Sequence, residues 1–302
     1  MGLTNFPNGL TSFGVPILGA GAVVTTGNVF FVDSGVGVDV ASTGRGKDPS
    51  RPFATIDYAV GRCTANNGDF IVAMPGHAET VSAAGGLALD VAGITVLGLG
   101  SGSDIPTVTL DAAAADVDVD AASVTIENVK FVSAAEDVAV CIDVNADWCT
   151  IRKCHFVESA ADRNFLICVL AGTANQSDHL VVEDCHAVCD DASNTHFVSF
   201  PNAQDACIVR NNILMGDWTT ATIGAASAVT LTAILNNIIF NTDNAADNCI
   251  NMHASSTGFV GGNLVSNAHA SQKITATAMG IAENYASVNA DDESGILEPV
   301  AT

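Results

Sequence analysis

Basic residues are scarce in this chain: 10 Lys and Arg stand against 33 Asp and Glu, a formal net charge of −23 over 302 residues. That balance argues against a nucleic-acid binder, which needs Lys and Arg to neutralise phosphates. It argues equally against attachment to an anionic membrane surface by charge. Aromatics are few, with two Trp and two Tyr, so a sugar groove built on exposed rings has little to draw on. There is no unbroken apolar run of about 20 residues, which leaves no candidate transmembrane helix. The opening residues lack a basic region followed by a continuous apolar stretch, so no secretory signal is expected, and Phe6 stands where a myristoylation motif has Ser or Thr. The nine cysteines form no CxxC pair. They read as reduced, mostly buried thiols in a protein assembled in a cytosol.

What is present is apolar. Hydrophobic residues make up 48% of the chain, with 27 Gly, a composition far from that of disordered proteins. The apolar residues fall into an internal repeat. Residues 124–131 (VTIENVKF) recur as 149–156 (CTIRKCHF), 180–187 (LVVEDCHA) and 207–214 (CIVRNNIL). Weaker copies lie at 232–239, 258–265 and 279–286, and the spacing suits a solenoid. One column of the repeat is aliphatic throughout: Ile126, Ile151, Val182, Val209, Ile234, Val260, Ile281. Residues on either side alternate, which is strand periodicity and not helical periodicity.

Three residues after that column come Val129, Cys154 and Cys185, then Asn212, Asn237, Asn263 and Asn284. Stacked asparagines at one turn position can bond amide to amide along the stack. The residue after the aliphatic column runs Glu127, Arg152, Glu183, Arg210, alternating in sign, so in-register coils pair opposite charges on the outside. These columns predict an all-β, single-stranded parallel β-helix of eight or nine coils, each with two strands flanking an Asn turn. At about 4.8 Å per coil the rod is on the order of 40 Å long.

Four segments follow. Residues 1–32 read as an extended anchoring arm, with Phe6, Pro7, Phe13, Val15, Pro16 and Ile17 as its apolar contacts. Residues 33–67 are a loop and a capping helix over 53–64, where apolar residues recur at spacings of three and four. Residues 68–290 are the β-helix, and 291–302 a C-terminal tail or cap.

Some of these runs resemble known sequences. Residues 52–56 (PFATI), 68–72 (GDFIV) and Pro75-Gly76 look like the opening of right-handed β-helix proteins of the pectin-lyase type. Residues 3–9 (LTNFPNG), 12–16 (SFGVP) and 29–33 (VFFVD) are similar to the start of β-helix virion proteins of tailed bacteriophages. The resemblance implies a right-handed helix and a trimeric structural protein of the virion, assembled in the host cytoplasm.

The fold itself hosts several activities and decides none. Glycosidases need two carboxylates about 5–9.5 Å apart. Candidates are Asp116, Asp118 and Asp120, Asp143 with Asp147, and Asp190 with Asp191. None has a Lys or Arg beside it, and all read as solvated acid. The three aspartates at 116–120 are also oxygen donors of the kind Ca²⁺ takes. Cys149, Cys154 and Cys185 with His155 or His186 are a remote zinc set, and core packing is the better reading. No catalytic, cofactor-binding or metal-binding residue is therefore assigned, and no cofactor is implied.

One outward column turns from Lys130, His155 and His186 to Ile213, Ile238, Leu264 and Tyr285, with Ile208 and Phe259 in a neighbouring column. An apolar stripe on a solvent face marks an interface, here a homotrimer. The expectation is a non-enzymatic head decoration or cement protein on the capsid surface. It would bind the major capsid protein or another virion component, and neither nucleic acid nor membrane. The alternatives are a tailspike-type polysaccharide depolymerase and a receptor-binding fibre without catalysis.

Overall fold

A computed structural model describes residues 11–12, 15–16, 25–172, 177–243, 248–267, 273–288 and 295–297. The chain winds as a right-handed parallel β-solenoid with three strands per coil. The first sheet runs from Val29–Val32 through Phe70–Ala73, Thr125–Glu127 and Thr150–Arg152 to Gly280–Ala282. The second runs from Ala78–Val81 through Lys130–Ser133 and Ile213–Gly216 to Asn284–Val288. The third runs from Leu87–Ala88 through Val117–Val119 and Ile142–Val144 to Ile274–Thr275. Its eight strands mark eight full coils among the described residues. The third strand is the difference from the sequence reading, which counted two.

Alternation explains the strands, and left-handed residues explain the corners. Asn128, Lys153, Asp184, Asn211, Asn236, Gly262 and Glu283 all have φ between 54° and 68°. Each directly follows a first-sheet strand and is the one left-handed residue before the second-sheet strand. A single αL residue interrupts the pleat, so the residue after it points inward again. Asn, Asp and Gly tolerate that conformation best, and they fill most of the column. The aliphatic column then stacks in register, Ile126 on Ile151 on Val182 on Val209 on Ile234 on Val260 on Ile281. A second inward column stacks Phe131, Phe156, Ala187, Leu214, Ile239, Val265 and Ala286. Together they form one continuous core along the rod.

Val29–Val32 pairs in parallel with Phe70–Ala73. It is the outermost strand of the first sheet, so the solenoid begins inside the segment read as an arm. The capping helix is shorter than expected, Ile56–Val60. Thr55 caps it by accepting from the Tyr58 N–H, and Gly61 closes it. Its Ile56 reaches into the space lined by Leu87, Leu89, Val96 and Val108, closing the open end of the first coils. At the other end, Gly295–Leu297 pairs antiparallel with Asn284–Val288. This strand covers the last edge of the second sheet, an edge otherwise open to further pairing. Of the proposed arm contacts, Val15 and Pro16 form a short strand paired with Thr11–Ser12. Phe6, Pro7, Phe13 and Ile17 lie outside the described residues.

Candidate functional site

The asparagines meet inside the rod. Asn212, Asn237, Asn263 and Asn284 are fully buried. Each of the first three donates its side-chain N–H to the carbonyl oxygen of the next amide at 2.9 Å. Each Oδ1 of the last three also accepts the backbone N–H of the asparagine one coil earlier, at 2.9–3.1 Å. The second amide hydrogens go to Val182, Val209, Ile234 and Val260 carbonyls. Every polar atom in the line is thus used, which burial requires. The column continues as thiols. The Cys185 N–H donates to Asn212 Oδ1 at 2.9 Å, and the Sγ atoms of Cys185 and Cys154 point to the Ile151 and Ile126 carbonyls. Burial pushes the Cys185 thiol well above its usual range.

Glu127, Arg152, Glu183 and Arg210 share one outer column in register. Arg152 donates from Nε and Nη2 to Glu127, and Arg210 does the same to Glu183. Lys153 adds a 2.8 Å contact to Glu127. Each arginine therefore takes the carboxylate of the preceding coil, giving two separate pairs. Partly exposed pairs of this kind contribute about 0–1 kcal/mol each.

A further ladder is built from aspartates. Asp147 Oδ1 accepts the Asp178 N–H, Asp178 Oδ1 accepts the Asp205 N–H, and Thr230 Oγ1 donates to Asp205 Oδ1. It runs along the corner before the first sheet, where Ser123, Trp148, His179, Ala206 and Leu231 are left-handed. The signal was an Asp two residues before the buried Cys149, Leu180 and Cys207. On that corner the exposed Trp148 stacks on His179 at 3.6 Å.

The outward apolar residues fall on two sheets. Ile213, Ile238, Leu264 and Tyr285 line up on the second sheet. Ile208 and Phe259 lie across the left-handed corner on the first. A further pair, Met215 and Phe240, stacks beside the second-sheet column. Its exposed members range from 37% at Met215 to 50% at Tyr285, while Ile208 and Ile238 are half-buried. Strand alternation carries the pair, two residues on from Ile213 and Ile238. At the other end of this face His155 and His186 sit edge to face, with centroids 5.9 Å apart. Burial, then His186 and Lys130, lower the His155 pKa.

Acidic side chains gather in two places. Asp118 pairs in register with Asp143. Partial burial and then Asp116, Asp120 and Asp143 push the Asp118 carboxyl up to about 6. Burial also raises Asp116 and Asp143. Asp147, the sequence partner of Asp143, belongs to the corner ladder instead. The other cluster surrounds a recess of about 360 Å³ lined by Glu158, Asp190 and Asp191. Burial raises Glu158, although its carboxylate accepts N–H bonds from Asp190, Asp191 and Asn194. Asp217 is pushed up to about 6 by burial and then by Asp243.

Among the described residues, no three His, Cys, Asp or Glu are placed to hold a metal ion. The zinc set divides: Cys149, Cys154 and Cys185 are buried, while His155 and His186 lie on the outward alternation.

The raised Asp118 makes a pH-dependent prediction. A carboxyl whose folded pKa exceeds its unfolded value of about 3.9 stabilises the fold below that value, and the benefit is lost as pH rises through 6. Asp118→Asn removes the loss. Thermal melts should show the variant a few degrees above the parent at pH 7.5 and level with it at pH 4. An equal gain at both values would refute the charge argument.

No family model matches this chain, and no curated protein matches it. A solved structure described as "Rhamnogalacturonan lyase" is similar over 90% of both chains, at 10% identity and a TM-score of 0.47. The likeness concerns the coil architecture. It corrects one expectation: the chain was read as no enzyme, and the similar structure is that of one, so the absence of catalysis is not carried further.

Proposed function

We propose that this chain is a structural protein of a tailed-phage virion, a head decoration protein whose copies associate along the second sheet. Residues 1–28, which precede the first strand of the solenoid, hold the assembly on the shell. The uncharged face is the observation that favours this reading. Ile213, Met215, Ile238, Phe240, Leu264 and Tyr285 form a contiguous outward surface in a chain of net charge −23. Such a charge keeps copies apart unless they meet where no charge lies. Heterologous contacts along this face, closing around a three-fold axis, give a cyclic trimer. Bound to the assembled shell and not to free subunits, it stabilises the shell by mass action.

Sedimentation equilibrium tests the association. The parent is expected at three chain masses, and Ile213→Asp with Leu264→Asp at one, with unchanged circular dichroism because both positions face solvent. A monomeric parent at tens of micromolar would sink this face as an interface. Removal of residues 1–28, which spares the strand Val29–Val32, should abolish capsid binding, and full retention would overturn the anchoring role.

A second reading, polysaccharide cleavage, is favoured by the carboxyls held above their usual range beside the recess at Glu158. Release of reducing ends from host polysaccharide, lost in Asp217→Asn, would establish it.

A further inference from the structure

Ten cations among 33 acids have carboxylates to spare. In the solenoid Arg152, Lys153 and Arg210 use them, while among the described residues Lys130 and Arg163 have no carboxylate oxygen within 4.0 Å. At the N-terminal end three unpaired cations converge. Arg45, Lys47 and Arg62 line one recess of about 460 Å³. Among the described residues, none of the three has a carboxylate oxygen within 4.0 Å.

The local acids are committed elsewhere. Asp33 accepts the Gly35 N–H, Asp39 those of Ala54 and Thr55, and Asp48 that of Ser50. Asp69, fully buried, accepts the N–H groups of Asn28 and Thr64. The cations hold neutral groups in their place. Lys47 donates to Asn28 Oδ1 at 2.9 Å and lies 5.6 Å from the Phe30 ring centroid. Arg62 donates to the Tyr58 hydroxyl at 2.6 Å and lies 4.5 Å from its ring centroid. Arg45 donates from Nη1 to the Pro52 carbonyl at 3.3 Å, while its Nε is buried without a partner. Aromatic faces position two of the charges without neutralising them. No Asp or Glu lines the recess, which also presents the hydroxyl side chains of Ser42, Thr43 and Thr64.

A buried guanidinium donor left unmade is costly, and this chain has acid in threefold excess to satisfy it. We propose that the recess is an anion site, taking a compact carboxylate or phosphate borne on a small molecule or on an acidic side chain of a partner. Its volume lies in the range of ligand pockets. A guanidinium fork suits both oxyanions. A long polyanion is disfavoured, because the field of the remaining surface is negative.

Calorimetric and thermal-shift titrations of the full chain test this with three probes: inorganic phosphate, citrate and a short aspartate peptide. Chloride holds ionic strength constant, since salt alone relieves self-repulsion at −23. Saturable binding with a concentration-dependent rise in melting temperature is expected for at least one probe. Phosphate or citrate binding would assign the anion to a small molecule, and binding of the peptide alone to a partner's side chains. Arg45→Gln and Arg62→Gln should each weaken it at least tenfold. Arg163→Gln, an exposed arginine in another coil, should leave it unchanged. If Arg45→Gln does not fold, the exposed Arg62→Gln decides. No saturable binding of any probe, or binding undiminished in Arg62→Gln, would overturn the proposal.

Discussion

Phe156→Ala is expected to lower stability by about 3–5 kcal/mol, the range for deleting a buried aromatic ring. Phe156 is fully buried, stacked on Phe131 and met edge-on by Phe197, both with ring centroids 5.4 Å away. Its neighbour one coil on is Ala187. The small residue and the ring from the third sheet together fill one cross-section, so removing the ring leaves a void that stacked backbones cannot collapse into. Phe156→Leu keeps most of the volume and should cost less than half as much. Chemical denaturation of the two variants checks the ratio. Equal costs would mean that the column is loosely packed at this coil and that its stacking contributes little.

The same column shows how far the fold was legible. A residue type that recurs at one position in successive coils announces itself, which is why the aliphatic, Asn and Glu/Arg columns are legible in the sequence. The third sheet is not. Its strands follow connectors of unequal length, from Ser133 to Ile142 in one coil and from Gly216 to Ala221 in another. Phase is lost between repeats, and the strand then looks like loop. The corner of Ser123, Trp148, His179, Ala206 and Leu231 was hidden for another reason. What those residues share is a backbone conformation and no side-chain chemistry.

The candidate sites follow the same rule. Ile213, Ile238, Leu264 and Tyr285 stand in one column and were found. Met215 and Phe240 stand in a column that changes character to Ser266 and were not. Arg45, Lys47 and Arg62 come from a loop and the turn after a helix, with no repeat to align them, so their convergence exists only in three dimensions.

Asn237→Leu should cost roughly 2–6 kcal/mol, at about 1–3 kcal/mol for each of two buried donors left unmade. Two donors lose their acceptor together: the Asn212 backbone N–H and one hydrogen of its amide, both held by Asn237 Oδ1. Leucine nearly fills the space, so water has little room to enter and replace them. The damage should also be local. In a solenoid each coil contacts mainly its neighbours, and only the coil before Asn237 loses an acceptor. Amide exchange at Asn212 should therefore accelerate by at least tenfold. Exchange at Asn263, whose acceptor is Asn284 Oδ1, should move far less. This asymmetry separates a hydrogen-bonded ladder from simple packing, for which both neighbours would loosen alike. Symmetric loosening, or an unchanged rate at Asn212, would show that the amide line adds nothing beyond its volume.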